Sequence, residues 1–564
     1  MIPTPAAQDR ARPAGPTATL RVAALALVTA GLLLRTWQYG ADIALWLDEI
    51  AVARNVLERP LTRLLFEPLD YDQTAPKGFL LAEFVVTKAA GASEYALRFW
   101  PWLASVASVA LYWRLSIRVL PGIGGMVALL CFAVAMPLIR QGGEVKQYST
   151  DVTAAIVLML LALPGPASRR RDLAAGALGA VTVWFSQPST IVAVALAGVL
   201  VLDGVARDGW RGLRGCRWRA GLWAASAVLA AGAALATMRP ETSAYMKRYW
   251  AGGFPPLALT PFVQSGWPWV PLRELFGDGV PGFQNTLFYP MPWLYAGLAV
   301  AGLGLLTRRR DVGLVVVAPV VATAVAALAW QYPFRDRVIL FLLPSLLLGF
   351  GAAVDLVFRW LWRSHPLVAV AVTAPLAAGV VAPIVRRPPP YNFGDIRPVM
   401  SALRESWTPA TAIYVHANGG TLFDYYAPQF GFDRATYDLG TCHFASGDGR
   451  DFLAEIDRYR GVSDLWVVVP HMTPGIVGQR DDLLRYLDTI GTRRHTVRVP
   501  SRMMGGDRLP AEAVQYDLSD RGRLAATSVD TFELRGSYAR TRQTCEEGPI
   551  RASTIDRHRV TGVR

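Results

Sequence analysis

Long apolar runs constrain this chain more than any other feature of its sequence. They recur through the first two-thirds of the 564 residues. A helix needs about 20 apolar residues to cross the hydrocarbon core of a bilayer, and many of these runs approach that length. Charged residues make up 18% of the chain, whereas soluble proteins carry roughly 25%. The sequence therefore predicts an α-helical polytopic membrane protein, and its apolar content excludes a disordered chain.

We expect about eleven transmembrane helices. The leader, residues 1–21, carries three arginines and no convincing cleavage site, which favours an uncleaved signal-anchor with a cytoplasmic N-terminus. The predicted spans are about 22–38, 97–115, 120–139, 150–164, 173–186, 188–203, 219–237, 291–306, 312–330, 337–355 and 367–385.

The net charge of +14 suggests nucleic acid at first sight, but its distribution indicates membrane topology. Alternating the spans from a cytoplasmic N-terminus places most arginine clusters in the cytoplasm, as the positive-inside rule requires. These clusters are Arg114 and Arg118, Arg169–Arg171, Arg207 to Arg219, Arg308–Arg310, and Arg359 and Arg363. We therefore expect a multi-pass protein of the plasma (inner) membrane that has membrane lipids, and no nucleic acid, as partners.

Three large segments fall on the outer side: 39–95, 238–290 and everything after about 386. In the first, Glu49 to Arg59 forms an amphipathic pattern, and the apolar stretch 78–90 is too short to span, so both predict interfacial or re-entrant helices. The tail predicts a soluble α/β domain. Its strand-like runs are TAIYVHAN, DLWVVVPH, RRHTVRVP and AVQYDLS, and its helix-like runs are FLAEIDRY and DDLLRYLDTI.

The predicted organisation is thus a cytoplasmic leader (1–21), a transmembrane domain (22–385) and an extracytoplasmic α/β domain (386–564). Cys442 and Cys545 both fall in the last of these, where a disulfide is possible.

Acidic residues at the outer face are the first candidates for chemistry. Asp48-Glu49 precedes the first interfacial helix, where a carboxylate could accept a proton from an acceptor hydroxyl or hold a metal ion. Asp48 could equally be the N-cap of that helix, and the two roles are compatible because a helix N-terminus favours an ionised carboxylate.

The outer loop RQGGEVKQYSTDV, residues 140–152, gathers Glu144, Lys146, Gln147, Tyr148 and Asp151. So many polar groups at a membrane entry are costly unless they face water or a polar partner, which favours a functional loop. Asp151 could also serve only as a helix N-cap, with Ser149 or Thr150 as alternatives.

Cations at the outer face break the positive-inside trend. Arg335 and Arg337, in QYPFRDR, could clamp a phosphate or could extend to lipid headgroups. Lys77 and Lys146 fit recognition of an anionic headgroup, although general contact with anionic lipid would explain them too.

Other chemistries find little support. The histidines of the tail, His416, His443 and His471, lack metal-ligand spacing and fit ordinary residues of a soluble fold. The sequence contains no Walker loop, no credible dinucleotide fingerprint and no CxxC, so nothing suggests nucleotide binding.

Four motifs, in this order and on this topology, resemble the GT-C superfamily of polytopic glycosyltransferases, near the bacterial relatives of protein O-mannosyltransferases and the lipid A aminoarabinose transferases. The resemblance covers about residues 20–385. The motifs are LWLDEIAVARN, APKGFLLAEF leading into ASEYALRFWPWLASV, EVKQYSTDV, and YPFRDRVILFLLP.

The resemblance implies a polyprenyl-phosphate-linked sugar donor and inverting transfer to a glycan, lipid or protein acceptor of the cell envelope. It implies that Asp48, with Glu49 beside it, is the catalytic acidic position of the first loop and that Asp151 matches the acidic position of the second. Relatives often place a phosphate-binding lysine just before a proline, whereas Lys77 follows Pro76.

The expected site combines a base with cations that stabilise the departing phosphate. The base is Asp48, helped or replaced by Asp151. The donor phosphate would be bound by Lys77, Lys146, Tyr148, Arg335 and Arg337. A divalent metal (Mg²⁺ or Mn²⁺) between Asp48 and Asp151 remains open. A flippase for lipid-linked glycans and a non-catalytic envelope-assembly partner are the alternative functions.

Overall fold

The structure is a computed structural model that describes residues 18–166, 168–277, 291–440, 450–470, 477–501, 510–525 and 527–535. Within these residues the chain is mostly helical, with a small sheet in its C-terminal region. Cys442, Cys545, His443 and His471 lie outside the described residues, so the suggested disulfide remains a prediction.

The first 386 residues are helical wherever they are described in regular structure. The helices are α1 (Ala18–Gly40), α2 (Leu47–Glu58), α3 (Leu61–Phe66), α4 (Lys77–Ala90), α5 (Glu94–Val119), α6 (Ile123–Val134), α7 (Met136–Gln141), α8 (Tyr148–Ala162), α9 (Arg169–Val183), α10 (Ser189–Asp208), α11 (Arg217–Ala236), α12 (Pro240–Tyr249), α13 (Leu259–Ser265), α14 (Trp269–Phe276), α15 (Pro292–Leu306), α16 (Arg310–Leu328), α17 (Leu343–Ser364) and α18 (Pro366–Arg386). Short 3₁₀ turns cover Gly209–Gly215, Ala251–Gly253 and Asp336–Leu342.

Six of the described helical segments are long and apolar enough to cross a membrane. They are Ala18–Gly40, Ser189–Gly215, Arg217–Ala236, Asp311–Leu328, Asp336–Ser364 and Pro366–Arg386. Each of the eleven predicted runs overlaps a helix, because an apolar run satisfies its backbone most simply as a helix. The number of eleven membrane crossings stays a prediction, since the other helices are shorter or less apolar.

The segment Asp336–Ser364 forms the centre of the bundle, because 94% of its apolar window is buried, against 22% for Pro366–Arg386. It contacts α15 and α6 closely. A Cβ on Gly302 of α15 would lie 1.7 Å from the carbonyl oxygen of Gly349 of α17. Small residues therefore allow the backbones of α15 and α17 to approach closely.

Both segments predicted as interfacial helices are helical: they form α2 and α4, in the loop between α1 and α5. Helix α2 ends at Glu58, just before Pro60, and α4 begins directly after Pro76. Helix α4 packs on α5, α3 and α2, which fixes the loop against the end of the bundle.

The C-terminal region is an α/β fold. Its elements are α19 (Arg397–Ser406), β1 (Ala412–Val415), α20 (Gly420–Tyr426), β2 (Asp438–Leu439), α21 (Arg450–Asp457), β3 (Leu465–Val469), α22 (Val477–Ile490), β4 (Thr492–Val499), β5 (Ala511–Asp517) and α23 (Arg521–Leu524), with 3₁₀ turns at Ala417–Gly419, Ala427–Phe430 and Arg434–Thr436. The strand order is β2-β1-β3-β5-β4. Strands β2, β1 and β3 are parallel, whereas β5 runs antiparallel to β3 and β4.

Every predicted strand and helix of the tail coincides with an element of the structure, and β2, α19, α20 and α23 are additional. His416 follows β1 and is buried, and its Nδ1 accepts a hydrogen bond from the Asn418 amide. Burial lowers the pKa of His416 to about 4, so it is a neutral residue of the fold.

One apolar core joins the loop between α1 and α5 to the C-terminal sheet. Ile50 and Phe79, from α2 and α4, belong to the same buried cluster as Ile413 on β1 and Tyr426 at the end of α20. Burial of shared apolar surface is the main stabilising contribution to such an interface. The first loop is therefore packed between the membrane helices and the α/β region.

Candidate functional site

Asp48 is placed by the first turn of α2. The helix is capped at Trp46, whose backbone N–H donates to the Glu49 carboxylate over 2.8 Å in the manner of a capping box. The N-cap role suggested for Asp48 is therefore wrong, because Asp48 occupies the second helical position. The Asp48 side chain is therefore not the helix cap. It is buried, with 8% of the residue exposed.

Two cations from distant parts of the chain meet the Asp48 carboxylate. The Arg337 Nη2 atom lies 3.1 Å from Asp48 Oδ2, and the Lys146 Nζ atom lies 3.7 Å from the same oxygen. Lys146 also donates to the Gln73 side-chain oxygen over 2.7 Å. The structure thus brings together the first-loop, second-loop and late motifs at one carboxylate.

Asp48 is ionised in this setting. Burial acts to raise its pKa, but Lys146, Arg337 and Arg140 together lower the pKa below the ordinary value of 3.8. Neither carboxylate oxygen accepts a hydrogen bond of good geometry from the described residues. A buried, charged carboxylate with unused hydrogen-bonding capacity is a common feature of functional sites.

Aromatic rings frame the second cation. The Arg337 guanidinium lies 5.6 Å from the ring centroid of Tyr148 and 5.8 Å from that of Trp250, within the range of cation–π attraction. Tyr148, a predicted site residue, therefore belongs to this cluster, and its ring is the part that contacts Arg337. Trp250, which follows α12, was missed by sequence reasoning because its segment carries no acidic or phosphate-binding pattern.

Glu49 has a different environment from its neighbour. Its carboxylate receives the Arg98 guanidinium at 3.0 and 3.1 Å and the Val145 amide at 2.8 Å. Because Val145 adjoins Lys146, this pairing joins the first loop, α5 and the second loop. Buried charges need such complete partnering, and Arg98 is a site residue that the sequence analysis did not single out.

Arg335 lies away from Asp48. It forms a bidentate pair with Glu274 of α14 at 2.9 and 3.1 Å, and 30% of its side chain is exposed. Arg335 and Arg337 therefore do not form the joint clamp that their spacing suggested, since one faces α14 and the other faces α2.

Lys77 is the half-buried first residue of α4, four positions after Gln73. Its amine makes no hydrogen bond or ion pair among the residues that the structure describes. Burial and the nearby Arg59 lower the pKa of Lys77 below its ordinary value of 10.5. An uncompensated cation near a polar cluster is available to an anion.

Asp151 is buried in the first turn of α8, which is capped at Gln147, so Asp151 is not the N-cap either. The Ser186 side chain hydrogen-bonds to its carboxylate, and its other oxygen lacks a partner among the described residues. No contact joins Asp151 to Asp48 in this part of the chain.

The donor set does not fit a divalent cation. Among the described residues, no three His, Cys, Asp or Glu side chains lie together, and the Asp48 carboxylate already faces two cations. Magnesium and manganese prefer several oxygen ligands.

No protein-family model matches the chain, and no curated protein matches it. Solved structures with a related path of the chain include ArnT from Cupriavidus metallidurans bound to undecaprenyl phosphate (12% identity, 88% of this chain and 98% of that chain, TM-score 0.43). They also include AglB, the oligosaccharyltransferase of Archaeoglobus fulgidus, with an inhibitory peptide and a dolichol-phosphate (10% identity, 85% and 73%, TM-score 0.43). The same Archaeoglobus enzyme with Zn and sulfate matches at 12% identity, 84% and 71%, TM-score 0.42.

At these TM-scores and identities the likeness assigns no activity, ligand or metal to this chain.

Proposed function

We propose that this protein is a membrane glycosyltransferase that transfers a sugar from a polyprenyl-phosphate-linked donor to a cell-envelope acceptor (glycan, lipid or protein) at the extracytoplasmic face. The observation that carries the proposal is the buried, ionised Asp48 carboxylate, which has Arg337 and Lys146 at its side and accepts no hydrogen bond of good geometry from the described residues.

The reaction needs two groups that this cluster supplies. The bond from the sugar's anomeric carbon to the phosphate oxygen breaks, and the electron pair leaves with the lipid phosphate. Arg337 and Lys146 would stabilise that charge, and Lys77 adds an unpaired cation. The acceptor hydroxyl oxygen forms the new bond at the anomeric carbon from the opposite face, and its proton passes to Asp48. A single displacement of this kind inverts the anomeric centre.

The low pKa of Asp48 shapes this step. A weakly basic carboxylate accepts a proton late, after most of the bond to the phosphate has broken. When the phosphate engages the two cations, it also draws them away from Asp48, which makes the carboxylate a better base as the donor binds.

The remaining predicted residues take supporting parts in this proposal. Glu49 would hold the first and second loops in register through Arg98 and Val145. Arg335 would contact the donor only by leaving Glu274. Asp151 would lie near the sugar and would not act as the base. The donor set gives no reason to route a step through a metal ion.

The test is transfer of sugar from a panel of polyprenyl-phosphate sugars by the purified full-length protein. Asp48→Asn should lower kcat by about 10²–10⁴-fold, the usual contribution of a general base. Glu67→Gln is the matched control, because Glu67 is exposed and pairs only with Arg63 in the same helical turn. Near-normal turnover by Asp48→Asn would remove Asp48 as the base, and a wild-type protein that consumes no donor would overturn the proposed function.

A further inference from the structure

The turn between α9 and α10, residues 184–188, contacts the predicted site residue Asp151 and also Gly78, which directly follows the predicted site residue Lys77. None of its residues belongs to the motifs on which the site was predicted. In sequence it is a short polar break, WFSQP, between two apolar helices.

One side of the turn contacts the start of α4. The Gly78 amide donates to the Trp184 carbonyl over 2.9 Å. A Cβ on Gly78 would lie 2.8 Å from that oxygen and 2.9 Å from the Phe185 ring. Only glycine allows this approach, and it fixes the position of Lys77, the preceding residue.

The other side of the turn contacts α8. Ser186 is fully buried, and its oxygen accepts a hydrogen bond from the Ser189 amide at 3.3 Å. Its proton is therefore directed to its remaining partner, the Asp151 carboxylate. The Phe185 ring packs on Trp100 of α5 with centroids 5.5 Å apart, which anchors the turn to the bundle.

We propose that the α9–α10 turn is a positioning element of the site, which sets the place of the Lys77 amine through Gly78 and of the Asp151 carboxylate through Ser186. Its consequence for transfer rests on the function proposed above, whereas its effect on Lys77 does not.

The first test needs no substrate. The chain has four lysines, Lys77, Lys88, Lys146 and Lys247, so acetylation of the full-length protein by trace acetic anhydride can be followed at each by mass spectrometry. The pH of half-maximal labelling reports the pKa of each amine independently of its accessibility. Lys88, exposed on the same helix, is the internal reference.

Gly78→Ala should push the start of α4 away from the turn and expose Lys77. Because burial lowers the pKa of Lys77, the labelling midpoint should rise toward 10.5 by about half a pH unit or more. Gly198→Ala is the matched control, since a Cβ there meets nothing within 4 Å. Should Gly78→Ala fail to fold, Phe185→Leu, which trims the ring that packs on Gly78, should shift the midpoint in the same direction. An unchanged Lys77 midpoint in the folded variants would overturn the proposal.

The second test concerns Asp151. With a donor that the wild type uses, Ser186→Ala should lower kcat by about tenfold, the effect of losing a hydrogen bond worth ~1.4 kcal/mol, with KM for the donor unchanged. Ser186→Thr, which keeps the hydroxyl, should restore most of the rate. Equal rates in the alanine and threonine variants would refute the role of Ser186. If the wild type uses no donor, the proposed function fails while the lysine result stands by itself.

Discussion

Asp48 pairs with Lys146 and Arg337, the same cations that a departing phosphate would need. The charges of these three residues therefore influence one another. Lys146 and Arg337 both stabilise the ionised carboxylate, but their two positive charges repel each other. Burial is the largest cause of the lowered pKa of Lys146, and the charge of Arg337 lowers that pKa further. The arrangement makes the pH dependence of the site a property of the cluster as a whole.

Arg337→Gln should move both limbs of the pH profile upward. Arg337 lowers the pKa of Asp48 and also that of Lys146, so its removal raises both. In the wild type, kcat/KM should fall on the acid side only as pH drops below 3.8 and should begin to fall on the alkaline side below 10.5. In the variant both transitions should lie at higher pH, measured as log(kcat/KM) against pH.

Arg335→Gln is the control for this comparison, since Arg335 pairs with Glu274 rather than with Asp48 or Lys146. Its profile should keep the wild-type midpoints even if its rate is lower. Limbs that move apart, or that stay in place in Arg337→Gln, would contradict the coupling.

At the residue scale, the sequence predicts the charges but not their partners. The predicted topology places Asp48, Lys146 and Arg337 on the same face of the membrane, and the motifs predicted that they meet. The pairs Glu49–Arg98 and Arg335–Glu274 join positions about 50 and 60 residues apart. No local periodicity relates such positions, so only the packed structure could reveal them.

At the scale of elements, the break between α6 and α7 sets the direction in which the chain enters the second loop, residues 140–152, and so places that loop at the site. Helix α6 ends at Val134, and its last carbonyls need partners because the helix stops inside the apolar bundle. Arg35 of α1 supplies them, donating to Phe132 at 3.1 Å and to Ala133 at 3.0 Å, while its Nε donates to Ser105. A buried arginine in the first span thus lets the chain turn into α7.

Arg35→Met should therefore destabilise the protein by about 2–5 kcal/mol, because two buried carbonyls and a hydroxyl lose their donor. The expected result is a lower midpoint of thermal unfolding in detergent, together with reduced transfer because the second loop shifts. Arg21→Met, on an exposed position of the same helix, should unfold at the wild-type temperature. Equal midpoints for the two variants would show that Arg35 does not hold the break.

Apolar runs predicted where helices form, since the period and length of a buried helix are written in the sequence. The interruption of the run 120–139 into α6 and α7 was not predicted, because it depends on a donor from α1. The short elements β2 and α20 were missed for a similar reason. Both are too brief to carry a periodic pattern: β2 is fixed by pairing with β1, and α20 by packing on α2.

At the scale of the whole molecule, polar groups divide between two ends of the helix bundle. Asp48, Lys146 and the α/β region lie at one end, where α8 begins. Arg171, Arg207 and Arg219 line a cavity at the other end, where α8 finishes. The positive-inside rule assigns the second end to the cytoplasm.

This orientation predicts the accessibility of introduced cysteines. In a chain whose native cysteines are replaced, Ser401→Cys on exposed α19 should react with an impermeant maleimide in intact spheroplasts. Thr307→Cys, exposed at the opposite end, should react only after the membrane is permeabilised. Labelling in the reverse order would invert the topology and place the proposed site in the cytoplasm.

The α/β region contacts the segment that positions Asp48. The sequence predicted a separate domain there and gave no sign of this contact. The Tyr426 hydroxyl accepts a hydrogen bond from the Leu45 amide at 2.7 Å and donates to Glu94 at 3.0 Å. Leu45 lies one residue before the cap of α2. Composition separates a polar tail from apolar spans, but it carries no information about the core that the two share.

Tyr426→Phe should loosen the loop before Asp48 by about 1–3 kcal/mol, the cost of leaving the buried Leu45 amide without its partner. Hydrogen–deuterium exchange of the peptide that contains Leu45 to Asp48 should quicken correspondingly, since those amides open more often. Tyr425→Phe is the matched control, because that neighbouring ring packs near Arg54 and its loss of a hydroxyl leaves Leu45 untouched. Unchanged exchange in Tyr426→Phe would mean that the α/β region covers the first loop without holding it.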